Sequence, residues 1–353
     1  MSTPFVIYLF LSFILFANVA MAQVTNPTGT VRATQARDIL PKTRQGDHFN
    51  EFWTYHFYLN KGIKIHITFS LVNLGSFKSP VSGIRLSILN LDGETYHVSR
   101  EYPLEKLVID AKQNRLQLHP ERDFYFEGNL PGSHRVRIFN QKDGVLYDID
   151  LTFSDIQPGR IWGDGLYSIG QHQIGIITHI PYANVRGHVA VNSARENVEG
   201  TAYMDHIWQT QSTLKHVHGI TRFVSHTSPS SWDLLLVVRS KQSASSVVGY
   251  RLRQQRGAVS LQGARRKTVV QPGREQGWSV PLSHRLLLNS GAEIDFTREI
   301  NEEVFSSFSE LGFIARRLAQ TMLGGELVDF RGRGMIRENG MVTRGHYSMT
   351  IVD

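Results

Sequence analysis

Ile63-Lys64-Ile65-His66-Ile67-Thr68-Phe69-Ser70-Leu71 decides the class of this chain. Apolar residues hold every second position and polar residues stand between them. A strand turns successive side chains to opposite faces, so this period buries one face and leaves the other polar. The same alternation runs through Trp53, Tyr55, Phe57 and Leu59. It returns at Val145, Tyr147, Ile149, Leu151 and Phe153, with Asp148, Asp150 and Thr152 between them. Turn residues separate the runs: Asn60-Lys61-Gly62, Asp92-Gly93, Lys142-Asp143-Gly144 and Asn289-Ser290-Gly291. Such pairs supply the positive φ that tight hairpins need. Strands at this spacing predict a large antiparallel all-β system, sandwich or barrel.

One stretch breaks the period. From Asn301 to Leu323 the apolar positions are Val304, Phe308, Leu311, Ala315, Leu318 and Met322. That spacing predicts one amphipathic helix near 302–323, with Glu302 and Glu303 at its start, Arg316 and Arg317 near its end and Gly324-Gly325 as its stop. It reads as a helix packed outside a barrel, or as a lid or a surface helix that meets lipid head groups.

Composition removes several classes. The chain has 353 residues, 41% hydrophobic and 20% charged, which excludes a disordered chain. Its length suggests two domains of roughly 150 residues. With no cysteine it has no disulfide framework, thiolate metal site or cysteine nucleophile. A formal net charge of +7 is a mild bias toward anionic surfaces. The basic clusters, Arg265-Arg266-Lys267 and Arg331-Gly332-Arg333-Gly334, have no aromatic residue interleaved. They read as solvated loops or contacts to an anionic membrane surface, and no nucleic-acid partner is expected.

Residues 1–22 carry no charged side chain, Phe5 to Phe16 is almost wholly apolar, and Ala20-Met21-Ala22 precedes Gln23. The run is shorter than the ~20 residues that span a bilayer. It predicts a signal peptide cleaved between Ala22 and Gln23, hence a periplasmic or secreted protein, or else an uncleaved N-terminal anchor.

The densest candidate chemistry is Gly200-Thr201-Ala202-Tyr203-Met204-Asp205-His206-Ile207-Trp208. On a strand, Tyr203 and Asp205 share one face, and Met204, His206 and Trp208 share the other. A carboxyl buried in an apolar pocket resists ionisation and becomes a usable general acid. The alternative is an ordinary hydrogen-bonded pair, Asp205 with His206, bracing a strand end. His216-Val217-His218 places two imidazoles on one strand face, but 15 histidines make such a spacing easy by chance. Neither a metal nor a cofactor is expected. There is no Gly-x-Ser-x-Gly or Walker loop, and Gly163-Asp164-Gly165 lacks the rest of a dinucleotide fingerprint.

Three separated pieces resemble one family. They are Glu51-Phe52-Trp53-Thr54-Tyr55, the central run from Gly200 to Trp208, and Trp278-Ser279-Val280-Pro281. Their order resembles the AttH and carotenoid-hydratase (hydroxyneurosporene synthase) superfamily of lipocalin-like proteins. Ala202 stands where that pattern has its second Gly, and Gln209 where it ends in Gly. The resemblance implies two consecutive calycin-type antiparallel β-barrel domains, over 45–212 and 213–353, after an extension at 23–44. It also implies an apolar ligand site near their junction. Carried over residue by residue, the proposed alkene-protonating Tyr and Asp fall on Tyr203 and Asp205. Trp53, Tyr55, His179, His206, Trp208 and Trp278 become candidate ligand-binding residues. Two functions stay open. One is an exported protein that binds a lipid or isoprenoid-like molecule. The other is a hydratase, cyclase or isomerase in which a protonated Asp205 donates to a C=C bond.

Overall fold

A computed structural model describes residues 24–42, 48–75, 78–241, 243, 245–307, 320 and 324–353. Nearly all of it is strand, in two large antiparallel sheets.

The first sheet is built on the opening alternation. Lys64–Asn73 lies between Phe49–Leu59 and Val81–Leu91, and Phe49–Leu59 pairs on its other side with the distant strand Ala194–Gln209. The path continues through His172–Val191, Val145–Ser154 and His134–Lys142 to the short strands ending at Val108–Asp110. The sheet curls enough for the Ser82 hydroxyl to donate to the Leu118 carbonyl oxygen. Its concave face encloses a core that includes Trp53, Tyr55, Phe57, Ile65, Ile67 and Phe69. The Asp-Gly turns behave as their chemistry requires: Asp92 and Gly93 sit at φ 53° and 80°, Asp143 and Gly144 at 53° and 81°.

The second sheet is a closed eight-stranded barrel. It runs from Val217–Ser228 to Met341–Val352, which returns to pair with the first strand. Closure leaves no exposed edge. Alternation along Val217–Ser228 divides its side chains between two environments. Phe223 joins Leu235, Leu286, Phe296 and Phe330 in the barrel core. Ile220 and Val224 join Leu234, Leu236 and Tyr250 outside it, packed against Tyr167, Ile174, Tyr203 and Ile207 of the first sheet. That second cluster is the junction of the two sheets.

The helical expectation is corrected at its start. Glu293–Ser306 is a strand, so Glu302 and Glu303 are strand residues. Register shifts between Arg298 and Ile300 and between Asn301 and Glu303 mark bulges. An extra residue at a bulge resets the period of two within this strand. Residues 308–319 and 321–323 of the expected helix, and the whole signal-peptide run with its Ala22-Gln23 site, lie outside the described residues. Among the described residues no helix is long and apolar enough to cross a membrane.

Candidate functional site at the junction of the two sheets

The motif strand Ala194–Gln209 lies between Phe49–Leu59 and His172–Val191. Its alternation sends Ala202 and Met204 into the first sheet's core and Tyr203 toward the barrel. Asp205 shares the Tyr203 face and is fully buried. It does not sit in an apolar pocket. Arg222, from the barrel, donates from Nε to Oδ2 at 2.6 Å and from Nη2 to Oδ1 at 3.0 Å. Both carboxylate oxygens therefore accept from one guanidinium fork, the strongest arrangement such a pair has. The apolar pocket expected around Asp205 is taken up by this guanidinium. Burial by itself lowers the Arg222 pKa, but the Asp205 carboxylate outweighs it and the net shift is upward. Burial, and then Asp205 beside it, pushes the Tyr203 phenol well above its usual range.

Beside this pair lies a cavity of about 50 Å³. His56, His66 and Arg85 line it from the first sheet, and Arg222, Asp329 and Arg331 from the barrel. Phe52, Ile220 and Leu327 supply apolar wall. As it stands the cavity holds only a few waters. Its charges are cross-linked. Arg331 reaches Glu303 at 2.5 Å and Asp329 at 3.1 Å, and Arg85 reaches Asp329 at 2.7 Å. The Thr350 hydroxyl donates to Asp329 at 2.5 Å. Burial pushes the Asp329 pKa up, but Arg85, Arg331 and Thr350 together hold it below the usual range.

His56 Nδ1 and His66 Nδ1 are 2.7 Å apart, so one ring donates and the other accepts. Burial, and then the arginines, holds both imidazoles well below their ordinary pKa, hence neutral. The Nε2 of His56 is buried and has no hydrogen-bond partner among the described residues.

The opposite face of the motif strand holds a separate cluster. His206 Nε2 donates to Glu51 at 2.7 Å, and the Lys42 backbone N–H donates to the same oxygen at 2.6 Å. His206 Nδ1 lies 3.4 Å from His179 Nε2. His179 gets there through a bulge: Thr178 pairs with Asp205 and Ile180 with Met204, leaving His179 between them as the extra residue. The Trp53 ring stacks on His206 at 4.5 Å and donates to the Ile39 carbonyl oxygen at 2.7 Å. Burial lowers the His206 pKa more than Glu51 raises it.

Of the six candidate ligand-binding residues, Trp53, His179, His206 and Trp208 thus stand together, inside the first sheet and away from the junction cavity. Tyr55 lies deeper in that core, paired with His134 at 2.9 Å. Trp278 sits on a small hairpin with Arg274–Glu275, packed against the barrel core.

Trp208 needs its partner to be glycine. Its ring covers Gly175, where a Cβ would lie 1.9 Å from the indole. Gly175→Ala is expected to displace the ring at a cost of about 1–3 kcal/mol. Changed tryptophan near-ultraviolet dichroism with a lower Tm checks this, and an unchanged spectrum contradicts it.

The residues that sequence reading missed are instructive. His66 belongs to the polar set of the opening alternation, yet it is 6% exposed because the barrel covers that face. Arg331, in a basic cluster that reads as a solvated loop or a membrane contact, is a buried member of strand Leu327–Glu338, while Arg333, two residues on along the same face, is exposed. His216 ends a short helix and packs on His172, with ring centres 3.9 Å apart, so it shares no strand face with His218.

Buried neutral histidines set the acid limit of the fold. Burial holds His134 at about 3 and His226 at about 4, against about 6.5 when unfolded. Below pH 6.5 the unfolded chain binds more protons, so stability rises with pH there. The contribution is complete above pH 6.5 and drains away toward pH 4, at up to about 1.4 kcal/mol per pH unit per ring. Urea unfolding at pH 6.5, 5.75 and 5.0 should show this slope, and His134→Phe should make it shallower. An identical slope in the variant would refute the assignment.

The two sheets form an all-β fold that solved structures of known proteins share. An AttH-type protein from Nitrosomonas europaea aligns with a TM-score of 0.60 at 17% identity, over 87% of this chain and 94% of that one. Kievitone hydratase from Nectria haematococca aligns with a TM-score of 0.54 at 11% identity, over 93% of this chain and 97% of that one. CghA with Sch210972 gives 0.60 at 11% identity, over 93% of this chain and 94% of that one. At these identities the likeness is one of fold. No family model matches the sequence, and no curated protein matches it significantly.

Proposed function

We propose that the protein binds a lipid or isoprenoid-like molecule that carries an oxygen function, at the junction of its two sheets. The apolar body would lie against Phe52, Ile220 and Leu327, with the oxygen turned toward Arg222 and Arg331. The observation that carries this reading is His56 Nε2, a buried nitrogen without a partner on a residue that lines the cavity. Leaving such a group unpaired costs about 1–3 kcal/mol, which a ligand or a water recovers. A ligand larger than a few waters has to move the lining side chains. Relative to the sequence expectation, the ligand changes from wholly apolar to amphiphilic, because the cavity wall carries charge. Native mass spectrometry of protein purified from its own host tests this. A co-purifying organic molecule supports binding, and bare protein only, from host cells rich in lipid, counts against it.

The enzymatic alternative is favoured by the same nitrogen. An isolated alkene needs a strong acid, and Asp205 engaged by Arg222 has no free oxygen to carry one. A neutral His56 suits a general base acting on a carbonyl-activated C=C bond, with the arginines stabilising the oxyanion. Turnover of an enone by the wild type, abolished in a folded His56→Gln variant, supports that alternative; turnover that survives removes His56 from it.

Export is part of the proposal. Its support is the charge-free apolar run and the Ala-Met-Ala site before Gln23. Mature protein beginning at Gln23 agrees with it, and protein recovered outside the cytoplasm with Met1 intact contradicts cleavage.

A further inference from the structure

We propose that the inner end of the C-terminal barrel binds an oxyanion, a carboxylate or phosphate group, between Lys267, Arg239 and His284. This site lies inside the barrel and is independent of the junction reading. Lys267 belongs to the exposed-looking run Arg265-Arg266-Lys267, but its side chain turns inward where Arg265 and Arg266 turn out. Its Nζ crosses the lumen to the Thr221 hydroxyl at 2.7 Å, on a strand that is not its neighbour in the ring. Thr221 stands two residues from Gly219, which pairs with Arg239. His284 is wholly buried on the facing strand, and among the described residues neither of its ring nitrogens has a hydrogen-bond partner.

Among the described residues the charges here are uncompensated. His284 feels Lys267, Arg239 and Arg298, and His218 feels Arg239, Lys267 and Lys241. Among the described residues no carboxylate acts on Lys267, Arg239, His284 or His218. The nearby Asp353 carboxylate acts on Lys241, and Asp329 faces the junction on the opposite side of its strand. A buried cation without a partner costs several kcal/mol, so it either gives up its proton or receives an anion. Burial, and then Arg239, brings Lys267 down to about 7, poised between those outcomes near neutral pH. An ammonium, a guanidinium fork and an imidazole N–H together form a donor set for oxygen anions. Bound anion would raise the lysine pKa, so binding at pH 8 would draw a proton from the buffer.

The test is titration calorimetry of the full chain at pH 8, in two buffers of different ionisation enthalpy. The probes are inorganic phosphate, acetate and dodecanoate, with dodecanol and sodium chloride of equal ionic strength as controls. The expected result is saturable binding with uptake of a fraction of a proton, weakened at least tenfold in Lys267→Met. Binding of dodecanoate without acetate or phosphate identifies an amphiphile's head group as the natural source, whereas binding of phosphate or acetate identifies a free anion. Should Lys267→Met not fold, His284→Phe replaces it, and proton uptake by the wild type needs no variant. Three results would each overturn the proposal: no anion binding beyond the chloride control, binding without proton uptake or unchanged in the variant, or dodecanol binding as tightly as dodecanoate.

Discussion

Arg222→Met is expected to lower the unfolding free energy by roughly 3–5 kcal/mol, because it leaves a buried carboxylate without its cation. Asp205 is 0% exposed and gives both oxygens to Arg222, so nothing of comparable charge and reach replaces the fork. The pair joins the motif strand of the first sheet to the first strand of the barrel, so its loss also loosens the junction. Replacing both partners together, Asp205→Leu with Arg222→Met, should recover most of the loss, since a buried pair and a packed apolar substitute differ little. Urea denaturation of the single and double variants measures this. A single variant within 1 kcal/mol of wild type would mean that the pair is hydrated and that the junction is described wrongly.

The second large effect is Trp53→Ala, at about 3–5 kcal/mol. Trp53 is fully buried, stacks on His206 and holds the chain before the first long strand through the Ile39 carbonyl oxygen. Truncation opens a void and orphans that carbonyl at once. The loss also loosens the His206 ring, which keeps Glu51, His179 and the Trp208 ring as neighbours. Equilibrium unfolding gives the magnitude. Trp53→Phe, which keeps most of the ring volume but not the N–H, separates packing from the hydrogen bond. A cost for Ala no greater than for Phe would show that the ring is not packed as described.

The all-β class was legible because its signal is local. Nine residues from Ile63 to Leu71 carry the period of two, and Asp92-Gly93 carries its own turn. The face that each residue meets was not legible. His66 has the same pattern whether its polar face meets water or a second sheet, and only the docking of the barrel decides. Asp205 shows the same limit. The motif strand places it correctly beside Tyr203, but its partner Arg222 is 17 residues away on another sheet. No spacing rule joins them, so burial was foreseen and charge compensation was not. Lys267 is the sharpest case. In sequence it is the third member of a basic run. In the fold, a bulge between Ala264 and Arg266, followed by the strand's alternation, separates it from its two neighbours and puts it inside a barrel.

The central claim is that the cavity between the sheets is where a ligand binds. Its most direct measurement is the ligand carried per chain, by native mass spectrometry, for the wild type and for Ile220→Trp prepared from the same host. Ile220 lines the cavity on the barrel side, and an indole there is expected to fill its about 50 Å³. The account predicts a bound organic molecule on the wild type and bare protein for a folded Ile220→Trp. Equal occupancy of the two would contradict it and move the binding site elsewhere in the molecule.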